Sequence, residues 1–182
     1  MTVYKNVFGI VGSASTGSLN QKILENIATQ TSANVKLAVF DNLRSLPHFN
    51  PSESINNPPP AVVEFRKKVE ESDGVIICTP EYVFSIPALL KNAIEWCVST
   101  TVFSQRPVGL ITASSSGAKG HEQLQLIMNT VGATFTSDTT LLISGVKSKI
   151  NINGEITDPV TKQEITAFID SFISMLYKIQ SE

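Results

Sequence analysis

Short apolar runs alternate with stretches of helical spacing along most of this chain. Val7–Val11 is an apolar run closed by Gly12. From Ser18 to about Thr31, apolar residues recur at positions 19, 23, 24, 27 and 28, the spacing of one buried helix face. Val35–Phe40 alternates like a strand, and Gly74–Cys78 is a continuous apolar run of the kind seen in strands buried on both faces. Val108–Ala113 and Thr139–Ser144 read as two further strands. Helices are predicted over Ala61–Glu71, Pro87–Ser99, with Pro87 suited to the first turn, Gly120–Val131 and Asp158–Lys178. The last of these carries apolar residues at 165, 168, 169, 172, 173 and 176. Asp41–Pro60 holds five prolines and is predicted as a long loop of the kind that often serves function.

A strand followed by a helix, repeated five times, predicts a doubly wound α/β/α sandwich. The five-stranded parallel form has the order 2-1-3-4-5, with its switch point between strands 1 and 3. Three strand-end loops would then meet: 12–20, 80–85 and 114–120. The length of 182 residues suits one domain over 1–182 and a full core between two helical layers.

Composition narrows the field of partners. The formal charge is −2, with no basic stripe, so nucleic acid is not an expected partner. No apolar run reaches the length of a membrane span, and the N-terminus shows no signal-peptide pattern. The two cysteines, Cys78 and Cys97, fall at core positions and read as reduced thiols of a cytoplasmic protein. With only His48 and His121, neither with a ligand-like neighbour, no metal site is expected.

The loops carry the chemistry. Gly12-Ser13-Ala14-Ser15-Thr16-Gly17-Ser18-Leu19-Asn20 combines hydroxyls, two glycines and the start of a helix, which together suit a phosphate. Gly12 and Gly17 have P-loop spacing, but Ser18-Leu19 stands where Lys-Ser/Thr is required, and Gly9 and Gly12 do not complete a dinucleotide fingerprint. A monophosphate fits better than either. Pro80-Glu81-Tyr82-Val83-Phe84-Ser85 presents apolar and aromatic groups suited to a flat heteroaromatic ring. Packing or an interface is the competing explanation for Tyr82 and Phe84. Ser114-Ser115-Ser116-Gly117 adds N–H donors for a polar ring edge.

These residues resemble the NADPH-dependent FMN reductase family, which has a flavodoxin-like fold. Gly12, Ser13, Ser18 and Asn20 match its first loop. Pro80, Glu81, Tyr82, Ser85, Pro87, Leu90, Lys91, Asn92, Ala93, Ile94 and Trp96 match its longer second motif, with Glu95 in place of Asp. The resemblance implies FMN, with its phosphate on Ser13, Ser15, Ser18, Leu19 and Asn20. Its ring would lie against Pro80, Glu81, Tyr82 and Val83, with Ser114, Ser115, Ser116 and Gly117 at the other polar side. It implies hydride transfer from NADPH or NADH through flavin N5 to a small-molecule acceptor such as a quinone, an azo compound or free flavin. It also implies a homodimer or homotetramer. No catalytic side chain is nominated.

Ser15 replaces the family's arginine, Val83 its asparagine, and His121 and Gln123 a common glycine and arginine. Loss of the cation predicts FMN affinity lower by about 1–2 kcal/mol. Two other readings follow from these features: a flavodoxin-type electron carrier, and a degenerate member that binds FMN weakly or not at all.

Overall fold

The computed structural model describes residues 4–31 and 33–178. Residues 1–3, the start of the N-terminus read above for a signal peptide, lie outside the described residues. Five parallel strands form one sheet in the order β2-β1-β3-β4-β5. They are β1 (Lys5–Val11), β2 (Val35–Phe40), β3 (Gly74–Thr79), β4 (Val108–Ser114) and β5 (Thr140–Ser144). Register runs Ile10↔Ile77 between β1 and β3, and Ile77↔Leu110 between β3 and β4.

The sheet is buried on both faces because its strands alternate between two cores. Phe8, Ile10, Val75, Ile77, Val108 and Leu110 join one core, beneath α3 (Pro60–Glu70), α4 (Ala88–Cys97) and α5 (Ala118–Thr130). Val7, Val11, Ile76, Cys78, Ile111 and Ala113 join the other, beneath α1 (Leu19–Gln30) and α7 (Pro159–Lys178). Every residue of β3 is buried, which accounts for its unbroken apolar run. Burying one such Ile or Leu side chain stabilises the fold by about 1.5–3 kcal/mol. Cys78 and Cys97 are buried free thiols. Burial pushes the Cys97 thiol up to about 12 and the Cys78 thiol higher.

Several boundaries differ from the expected ones. β1 starts at Lys5, two residues early, because Lys5 pairs with Val35 of β2. α4 starts at Ala88, with Pro87 as its extended N-cap and not within its first turn. α5 starts at Ala118, since Gly117 adopts φ +90° and makes the turn into the helix. The 41–60 segment is not irregular throughout: it holds a 3₁₀ turn at Leu43–Ser45 and the short helix α2 (Pro51–Ser54). A further short helix, α6 (Val146–Lys149), follows β5. Asp158 caps α7 by accepting the N–H and hydroxyl of Thr161 at 2.8 and 2.7 Å, and these bonds lower the pKa of its carboxyl.

Among the described residues no helix is long and apolar enough to cross a membrane, and no cluster of metal-ligating side chains occurs.

Candidate active site at the strand ends

The ends of β1, β3 and β4 are tied together by hydrogen bonds. Gly12 N–H donates to Cys78 O at 2.8 Å. Gly12 allows this approach because a Cβ there would lie 2.5 Å from Thr79 Oγ1. Asn20, at the start of α1, is buried and donates from Nδ2 to Ala113 O at 3.3 Å, while its Oδ1 accepts the Cys78 thiol at 3.4 Å. Asn20 thus braces β3 against β4, a duty its place in a phosphate-loop pattern does not announce.

The 12–20 loop is shaped by its own hydroxyls. Ser13 is buried and accepts the Ser15 N–H at 3.2 Å. Ser18 caps α1 by accepting the Gln21 N–H at 3.2 Å. Leu19 packs its side chain on the core. The first-turn N–H groups of Leu19 and Asn20 meet no acceptor among the described residues. The hydroxyls of Ser15 and Thr16 are exposed beside them. Unpaired N–H groups at the positive end of a helix suit an anion.

Pro80 is buried at the end of β3. Glu81 then turns inward, and its carboxylate accepts the Gly120 N–H in the first turn of α5 at 2.7 Å. Tyr82 and Ser85 pair as a minimal hairpin, with N···O distances of 2.9 and 3.0 Å. Its two central residues, Val83 and Phe84, have φ of +51° and +57° and are 95% and 76% exposed. This is the backbone of a type I′ turn, which favours Asn-Gly and strains a β-branched residue.

The 114–117 loop has its carbonyls committed on one side. Ser115 O accepts from Gly145 N at 3.0 Å, and Ser116 O from Ser144 Oγ at 2.6 Å. Because a peptide unit is planar and trans, the N–H groups of Ser116 and Gly117 then point away from β5. They and the Ser115 N–H meet no acceptor among the described residues. Ser114 is half-buried, Ser115 and Ser116 are exposed, and Gly117 is buried. Next to this loop, His121 Nδ1 lies 2.9 Å from Thr112 Oγ1, and burial lowers the pKa of the imidazole.

The 41–60 segment walls one side through partners that sequence reasoning did not find. Pro47 O accepts from Asn92 Nδ2 at 3.0 Å and Trp96 Nε1 at 2.8 Å, while Asn92 Oδ1 accepts the Phe49 N–H at 2.7 Å. Asn92 and Trp96, both part of the second motif, hold this segment to α4. Earlier in the segment, Arg44 Nη2 donates to Ala14 O of the 12–20 loop. No local signal links residues this far apart in the chain. Cavities of about 930 Å³ beside α3 and about 350 Å³ beside β2 share no lining residue with the 12–20, 80–85 and 114–120 loops.

A doubly wound parallel sheet of order 2-1-3-4-5, with helices on both faces, defines a flavodoxin-like fold. The chain matches the model of the NADPH-dependent FMN reductase family over residues 6–147, and it belongs to that family of oxidoreductases. It is 29% identical to the NADH:(hydroxy)cinnamate reductase subunit CrdA of Vibrio ruber, over 97% of this chain and 91% of that protein. It is 28% identical to an NAD(P)H:quinone oxidoreductase of Solanum tuberosum, over 97% and 95% of the two chains. Among solved structures, the flavoenzyme NAD(P)H:(acceptor) oxidoreductase FerB of Paracoccus denitrificans superposes with a TM-score of 0.77 at 25% identity, covering 96% of this chain and 98% of that one.

Proposed function

We propose that this protein is an FMN-dependent NAD(P)H oxidoreductase whose acceptor is a small oxidant such as a quinone, an azo compound or free flavin. The observation that carries this reading is the pair of unpaired N–H rows, at Leu19–Asn20 and Ser115–Gly117, on either side of the Pro80–Val83 turn. One row suits a phosphate, the other the polar edge of a ring, and the turn between them offers apolar cover.

The residues present fit FMN. Ser13 and Ser18 shape the phosphate loop, and the hydroxyl of Ser15 and the N–H groups of Leu19 and Asn20 would hold the phosphate. Pro80, Glu81, Tyr82 and Val83 would border the ring, with Glu81 acting through the bond that seats this turn against α5. The N–H groups beyond Ser114, on Ser115, Ser116 and Gly117, would stabilise negative charge at the ring edge. The chemistry supplied by bound FMN is hydride acceptance from a nicotinamide at flavin N5 and its onward delivery to the acceptor. No side chain is required as acid or base for the hydride step. The same reading includes a homodimer or homotetramer, which the exposed Val83 and Phe84 favour, and a cytoplasmic setting, which two buried free thiols favour.

The test is direct. Purified protein is mixed with FMN, and oxidation of NADH and of NADPH is followed with a quinone present. Turnover that depends on added FMN is expected. A colourless protein that takes up no FMN, or a flavin-loaded one that oxidises neither nicotinamide, overturns the reading.

A further inference from the structure

We propose that Arg44 supplies, from the segment after β2, the positive charge that balances the FMN phosphate in the 12–20 loop. The inference rests on the FMN reading above and adds a residue that no part of the loop pattern contains.

The loop has a charge deficit. A phosphate monoester carries about −1.5 to −2 at neutral pH, yet residues 12–20 include no ionisable side chain. Unpaired N–H groups and hydroxyls offset part of that charge by dipoles alone. The structure brings a cation to the loop itself: Arg44 Nη2 donates to Ala14 O, across a separation of 30 residues. Lys22, the cation nearest in α1, is turned instead to the carbonyl of Ile152.

Arg44 is also placed to keep its charge available. It sits in the 3₁₀ turn Leu43–Ser45, where Leu43 and Leu46 are buried on either side and pin the turn to the core. Among the described residues no carboxylate lies within ion-pair distance of its guanidinium. Its bond to Ala14 O engages Nη2, and Nε and Nη1 meet no acceptor among the described residues. A guanidinium forks two N–H groups toward phosphate oxygens more readily than any other side chain. Anchored by one nitrogen at the loop rim, this one has donors left for a ligand.

The experiment measures dissociation constants by quenching of flavin fluorescence, for wild type, R44A and R44K. FMN is one probe, and riboflavin, which has the same ring and no phosphate, is the other. R44A is expected to weaken FMN about tenfold at low salt while leaving riboflavin unchanged. R44K should recover part of the loss, and added salt should narrow the gap between wild type and R44A. Equal FMN affinity in wild type and R44A overturns the proposal. So does an equal loss for FMN and riboflavin, which would make Arg44 a shaper of the loop only. If wild type binds riboflavin or FMN at no concentration tested, the FMN reading falls, and this inference with it. Because Arg44 is exposed, R44A should match wild type in thermal midpoint.

Discussion

Glu81 and Gly120 are joined through a side-chain carboxylate and a helix-start N–H at 2.7 Å. This one bond seats the Tyr82 turn on α5, so the loops after β3 and β4 share a frame. Replacing Glu81 with Ala removes an acceptor from the first turn of α5. A loss of about 1–2 kcal/mol is expected in urea unfolding. Glu81→Gln keeps an acceptor oxygen and should lose less.

Val83 and Phe84 hold the left-handed region without a glycine between them. Left-handed backbone costs an L-residue about 1–2 kcal/mol. The double change Val83→Asn with Phe84→Gly supplies the pair that this turn type favours, and stability should rise by about 1–2 kcal/mol. An unchanged urea midpoint would show that the pair does not occupy that conformation in solution.

Gly12→Ala tests the approach of β1 to β3. The added methyl would lie 2.5 Å from Thr79 Oγ1 and 2.9 Å from Leu90 Cδ2. Neither neighbour can retreat, since Thr79 and Leu90 are fully buried. A loss of about 1–3 kcal/mol is expected from thermal or urea unfolding.

His121 introduces a pH dependence. Its burial favours the neutral imidazole, so its folded-state pKa lies below the ordinary value of 6.5. Well above that value both folded and unfolded chains are neutral there, and the group leaves stability unchanged. As pH falls through and below it, the unfolded chain takes up a proton that the folded one resists, and stability declines until the folded-state pKa is passed. Wild type should therefore lose more stability than His121→Asn between neutral and mildly acidic pH. Proton NMR titration of His121 should give a midpoint below the ordinary one.

The sheet order was legible because Gly74–Cys78 is an unbroken apolar run and Val108–Ala113 is a largely apolar one, and such runs between helical spacings leave few topologies. The meeting of the three loops was legible for the same reason. Contacts between distant segments were not. Nothing near Arg44 indicates Ala14, and nothing near Pro47 indicates Asn92 or Trp96. The short helix α2 did leave a signal: Asn50 accepts the Ser52 N–H at 3.1 Å, Pro51 follows, and Glu53 sits in the first turn. The surrounding prolines outweighed it. The resemblance sets Asn20 at the phosphate loop, and no sequence signal shows that its side-chain amide bonds Ala113 and Cys78.

The doubly occupied carbonyl of Pro47 has a mechanical corollary. With two side chains of α4 clasping it, and the ring of Phe49 set edge-on to Trp96 at 5.3 Å, the stretch bearing Arg44 is fastened to that helix. The tip of the Tyr82 hairpin, where Val83 and Phe84 stand exposed, has no comparable clasp among the described residues.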